Sequence, residues 1–148
     1  MRISILNRQR KYPVDQAQVH HWVRQVLLLQ KMENGEVTVV FVNNRRIRVY
    51  NRDYRQIDRP TDVLSFPMRE GIGGDLHPAF LGDVMISLEM AESDALRYGR
   101  DRSGQLLILL IHGILHLLGY DHERSEAEER KMTRRERFIL KRIGSPSV

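Results

Sequence analysis

Three histidines, His112, His116 and His122, constrain this chain more tightly than any other feature. They follow an apolar run, Leu106-Leu107-Ile108-Leu109-Leu110-Ile111, and Gly119 stands between the second and the third. Positions i and i+4 of an α-helix share one face, with Cβ atoms roughly 5–6 Å apart. Two imidazoles placed this way can reach one ion at the ~2.0–2.1 Å of a zinc–nitrogen bond. Gly119 suits a helix exit, because it enters the left-handed region without a Cβ penalty. The chain can therefore turn there and return His122 towards the same point. Three neutral imidazoles leave a fourth tetrahedral position open, the pattern of a catalytic rather than a structural zinc.

A lone histidine pair on a helix says little, and the added glycine and third histidine give this one its weight. A polar pair at the end of so apolar a run needs partners if it is to be buried at all. The spacing is that of the extended zinc-protease motif H-E-x-x-H-x-x-G-x-x-H. Its glutamate, the general base of those peptidases, is replaced here by Gly113. A metal scaffold is expected without the peptidase base.

Three blocks together resemble one family: His112-Gly113 through Asp121-His122, Tyr54-Arg55 through Phe66-Pro67, and Leu81-Gly82-Asp83-Val84-Met85-Ile86-Ser87. They closely resemble the YbeY family, bacterial zinc-dependent endoribonucleases linked to ribosomal RNA maturation and ribosome quality control. The likeness runs from mid-chain to the last third, and the length suits one complete member. It implies a single zinc ion on His112, His116 and His122, and a functional arginine at Arg55. Catalytic roles are assigned on this basis to Arg55 and to His112, the latter also a ligand. It further implies RNA as substrate, 16S ribosomal RNA near its 3′ end as target, and the small ribosomal subunit as partner.

The 148 residues suit a single domain spanning 1–148, which would bury about two-thirds of its unfolded surface. There are no cysteines, so zinc must be held by histidine or carboxylate, and a reducing cytoplasmic setting is expected. No stretch near the N-terminus resembles a signal peptide, and the apolar run is shorter than the ~20 residues a bilayer requires. No membrane association is expected. A net charge of +5 favours a polyanionic partner such as RNA.

Read in order, residues 2–7 alternate as a half-buried strand, and a helix is expected over about 15–32. His20 and His21 on that helix point about 100° apart and are read as surface or packing residues. Residues 36–42 form a strand, and Asn43-Asn44 cap a helix over about 44–54, with Ile47 and Tyr50 expected to face the core. Its arginines, Arg45, Arg46, Arg48 and Arg52, form either a solvated face or a phosphate-tracking one. A strand over 63–67 ends at Pro67, which marks a strand end or an edge. Residues 69–80 form a loop containing His77, read as a plain loop histidine with a fourth-ligand role left open. A strand over 81–87 and a helix over about 88–99 follow. Ser103 is expected to start the apolar helix, and Ser125-Glu126-Ala127-Glu128 is a capping box for a last helix to about 142. The sum is an α+β domain: a small mixed four-stranded sheet covered by about five helices, the metal helix packed centrally.

The chemistry follows from the metal. Zinc on three histidines lowers the pKa of its water from 15.7 to about 7, so no strong protein base is required. An arginine fork can share the charge on the phosphate oxygens, and Arg55 is the candidate; an ion pair with Asp58 or Asp62 is its structural alternative. Asp121 and Glu123 could orient His122, move protons, cap the helix exit or bind Arg124, and no role is assigned to Asp83. Two rival functions stand beside the nuclease. A zincin-like metallopeptidase lacks its base at Gly113. A non-enzymatic RNA- or ribosome-binding factor with a structural zinc would need a fourth ligand.

Overall fold

The computed structural model describes residues 1–68 and 79–144. His77, most of the loop expected over 69–80 and the tail after Gly144 lie outside the described residues. The order of elements is β1 (Arg2–Asn7), α1 (Gln16–Leu29), β2 (Glu36–Val42), α2 (Asn44–Arg55), β3 (Val63–Pro67), β4 (Phe80–Ser87), α3 (Leu88–Tyr98), α4 (Arg102–Leu117) and α5 (Glu126–Gly144). The α+β class and the mixed four-stranded sheet with five helices are as read from the sequence.

The strands lie in the order β1-β2-β4-β3. β1, β2 and β4 run parallel, and β3 pairs antiparallel with β4 at the sheet edge. Pro67 is the last residue of that edge strand, where its missing N–H costs the ladder least.

Alternation along the strands divides the apolar residues between two faces. Val37, Val39 and Phe41 of β2 and Val84 and Ile86 of β4 enter the main core with α1, α4 and α5. Val40, Val42, Leu64, Phe66 and Met85 turn to the other face, where Ile47 of α2 joins them in a smaller cluster. Among the described residues, one face is thus deeply covered, and the other carries a single short helix.

Every helix start has a side-chain cap or a capping serine. Asp15 Oδ1 accepts from the Gln18 N–H at 3.0 Å, Asn43 Oδ1 from Arg46 at 2.9 Å, and Ser125 Oγ from Glu128 at 3.1 Å. The start of α4 differs from the sequence reading. Asp101, not Ser103, caps it, accepting from the Gly104 N–H at 2.6 Å, because a carboxylate is at least as good an N-cap as a hydroxyl. Tyr50 also differs from expectation, being 41% exposed, while Ile47 and Asn51 are buried. Those two are one turn apart and define the inward face; Tyr50 lies off it, on a stripe with Arg46 and Tyr54.

α4 touches β3, β4, α1, α3 and α5. Leu110, Ile111, Ile114 and Leu115 are fully buried along it. Its last two turns, which carry the histidines, therefore sit against the sheet in the middle of the fold.

Candidate metal centre

His112 and His116 stand one turn apart on α4, with ring centroids 4.7 Å from each other. The chain then leaves the helix through a Schellman turn: the Tyr120 N–H donates to Leu115 O and the Gly119 N–H to His116 O, both at 3.1 Å. That closure needs a left-handed residue after the helix, and Gly119 has φ +98°. The half-buried Tyr120 packs back on the main core. The turn returns His122 to within 5.2 Å of His112 and 5.1 Å of His116, ring to ring.

One ligand atom from each histidine lies within 4.8 Å of the others, so the three could hold a metal ion. Nε2 of His116 and Nδ1 of His122 face each other at 3.1 Å. Two nitrogens bound to one tetrahedral zinc stand about 3.3 Å apart, given bonds of ~2.0–2.1 Å. Burial, and next the charges of His112 and His122, push the His116 pKa down to about 4. The ring is thus neutral well below pH 7, which is the form that ligates. A set of imidazoles with no thiolate suits a borderline ion such as zinc.

Sequence reasoning did not find Glu136. Its Oε1 lies 3.2 Å from Nδ1 of His112, across from α5 and 24 positions away in the chain. A carboxylate there favours the tautomer with its proton on Nδ1, which would leave Nε2 with the lone pair for a metal. The only local signal was a glutamate among the mixed charges of α5, which nothing in the sequence ties to His112.

The structure also explains Gly113. A Cβ built there would lie 2.6 Å from Val84 Cγ1 and 3.2 Å from Val63 Cγ2. Ser65 Oγ donates to the Gly113 carbonyl at 2.8 Å. The helix is pressed onto β3 and β4 where a peptidase would carry its glutamate. Any side chain added there would have to displace Val84.

The centre opens into a cavity of about 580 Å³ whose lining includes Tyr54, Arg55 and Ser65 as well as all three histidines. Arg55 does not pair with Asp58 or Asp62. Asp58 is taken by Arg48 at 2.9 Å, and Asp62 accepts the Val63 N–H at 2.7 Å. The Arg55 guanidinium instead reaches Glu123 at 3.6 Å. The same Glu123 oxygen is 3.8 Å from His122 Nε2, so Glu123 stands between the arginine and the metal centre. Asp121 is occupied locally, accepting the Glu123 N–H at 2.9 Å and lying 3.9 Å from Arg124. Asp83 faces a different groove, on the less covered side of the sheet. Burial raises its pKa, and a hydrogen bond from Thr38 opposes the shift. His20 and His21 are exposed on α1, away from the site.

Residues 4–144 match the sequence profile of a family described as Endoribonuclease YbeY. A Geobacter metallireducens protein named endoribonuclease YbeY is 44% identical over 141 residues, covering 95% of this chain and 94% of its own. A Geobacillus thermodenitrificans protein of the same name is 50% identical over 119 residues, with 76% and 75% covered. Among solved structures, a solution structure from Thermotoga maritima superposes with a TM-score of 0.65 at 27% identity, over 95% of this chain and 88% of that one.

Proposed function

This chain belongs to the YbeY endoribonuclease family, and from that membership we propose that it is a zinc-dependent endoribonuclease that cuts single-stranded RNA. The observation that carries the reading is the meeting of three imidazoles and the Arg55 guanidinium in one open cavity. Bound there, zinc would supply Lewis-acid polarisation and a water acidified to about pKa 7.

The chain's own residues divide the remaining work. His112, His116 and His122 hold the ion, and Glu136 orients His112. The Arg55 fork binds the non-bridging oxygens of the phosphate as their charge grows, leaving Glu123 to do so. Glu123 holds the guanidinium over the cavity until RNA arrives. The net charge of +5 draws a polyanion towards the surface at long range. On family grounds we read the biological target as 16S ribosomal RNA near its 3′ end, with the small subunit as partner and ribosome quality control as the setting.

The test is cleavage of single-stranded and ribosomal RNA by the purified protein, with chelation, zinc add-back and an Arg55→Ala variant. Chelation should abolish cleavage and zinc restore it. Arg55→Ala should keep metal and fold yet lose about 10²–10³-fold in rate, the usual cost of removing one electrostatic donor. A zinc-loaded protein that cuts no RNA would turn the reading to an RNA-binding factor. Full activity in Arg55→Ala would return Arg55 to an ion pair with Glu123.

A further inference from the structure

At the rim of the metal cavity, α2 presents a stripe that belongs neither to the buried core nor to the three histidines that could hold the ion. Arg46, Tyr50 and Tyr54 follow one another at four-residue intervals, so they lie on one face. Tyr50 is 41% exposed and Tyr54 52%. Both rings lean edge-on against Phe66 of β3, with centroids 6.2 Å and 4.7 Å away. Tyr54 lines the metal cavity. Tyr50, Phe66 and Arg46 line the groove on the less covered sheet face, together with Arg8. The aromatic ridge therefore stands between the two hollows, with Tyr54 on one side and Tyr50 and Phe66 on the other.

We propose that this ridge is a stacking platform that leads single-stranded RNA from the open sheet face into the metal cavity. One base lies on Tyr54 and the next on Tyr50, and Arg46 and Arg8 meet the phosphates beyond. The proposal rests on the nuclease reading and deepens it, by naming the residues that would select an unpaired strand.

Three observations converge on this ligand. Aromatic rings alternating with guanidinium groups are the usual means of holding single strands without regard to sequence. The groove also favours an anion, since Arg8 and Arg46 face a single carboxylate, Asp83, whose ionisation burial disfavours. Spacing then chooses the form of RNA. Four residues of helix separate the two tyrosines by about 6 Å along the axis, at 1.5 Å per residue. Paired bases in a duplex are stacked about 3.4 Å apart and keep their faces covered, so they could not seat on two such rings. Splayed, unpaired bases can. Three further arginines of α2 point elsewhere, Arg48 to Asp58, Arg52 to Asp53 and Arg55 to Glu123.

The test is a coupling measurement on the zinc-loaded protein. Binding of a fluorescent eight-nucleotide 2′-O-methyl oligouridine is followed by anisotropy, beside a series carrying one abasic nucleotide at each position. Tyr54→Ala and Tyr50→Ala should each weaken the octamer about 5- to 100-fold, the range for one lost base–aromatic stack. Val49→Ala, an exposed neighbour off the stripe, should match wild type. At one position for each tyrosine, the abasic penalty seen in wild type should vanish in the matching alanine variant. Alanine variants that bind as wild type does, or that keep the full abasic penalty, would overturn the platform. Should either alanine variant fail to fold, Tyr54→Trp replaces it. Its new indole should be quenched by the octamer while the buried Trp22 is not, and an unquenched indole would equally overturn the proposal. Coupling in a protein that never cuts the matching unmodified RNA would support the platform and sink the nuclease reading.

Discussion

The three histidines of the metal centre are held in two different ways. His112 and His116 are fixed by the turn of a helix that is packed on five other elements, and His112 is further held by Glu136 at 3.2 Å. Only 26% of the His112 side chain is exposed. His122 hangs on the segment that leaves the helix, 39% exposed, and its position depends on one glycine turn. Its closest acidic neighbour, Glu123, is 3.8 Å away and also engaged with Arg55. Helix and sheet thus set two of the three candidate ligands in advance, and a lone turn brings in the third. The helical pair should govern whether metal binds at all, and the turn how well.

Removing one ligand from each arm should break this comparison most strongly. His116→Ala destroys the helical pair and leaves two imidazoles with no shared helix spacing. Metal content after gel filtration should fall from stoichiometric to none, and cleavage should go with it. His122→Ala leaves the helical pair intact and should retain weak binding, visible by calorimetry at high metal concentration. Stoichiometric zinc in His116→Ala would show that the ligands are assigned wrongly. Equal loss in both variants would show that the turn is as important as the helix.

The carboxylates sharpen the contrast at a smaller scale. Glu136→Gln keeps the shape beside His112 but removes the charge that fixes its Nδ1 proton. Metal affinity should fall about 10- to 100-fold, the common effect of losing a partner of a ligating histidine. Glu123→Gln, on the looser arm, should change affinity much less. Competition with a chromogenic chelator measures both, and a larger loss in the Glu123 variant would reverse the ranking of the two arms.

These two arms were unequally legible in the sequence. The helical pair, Gly119 and His122 could be read from spacing, because i,i+4 geometry and a left-handed exit are local properties. The helix α1 and the strand β2 were legible for the same reason, each period being set by its own backbone. Glu136 was not, since its contact with His112 exists only once α5 has packed against α4. The partner of Arg55 failed similarly: nearby Asp58 and Asp62 were the sequence candidates, yet Arg48 and a backbone N–H claim them. Tyr50 was misplaced because α2 buries so narrow a face that a residue slightly off it emerges into solvent. Gly113 could be read as a missing base, but its tight approach to Val84 appears only when helix and sheet are together.

The two glycines of the motif offer the finest separation of the arms, because alanine acts on each by a different route. At Gly113 the backbone is helical, so alanine brings about 1 kcal/mol of helix propensity. Its Cβ would also sit 2.6 Å from Val84 Cγ1, a β-branched side chain with little freedom to rotate away. Overpacking of this kind costs about 1–3 kcal/mol, so the net expectation is a destabilisation of about 1 kcal/mol. At Gly119 an added Cβ meets nothing within 4 Å, but φ is +98°, and a left-handed L-residue costs about 1–2 kcal/mol. The second cost can be relieved by opening the turn, which carries His122 away from the other two. Gly113→Ala should therefore lower the urea midpoint and leave the metal affinity of the folded protein nearly unchanged. Gly119→Ala should show part of its cost as weaker metal binding, with a smaller change in midpoint when metal is absent than when it is present. Identical shifts with and without metal in Gly119→Ala would mean that the turn holds its shape under strain, and that His122 is as firmly placed as the helical pair.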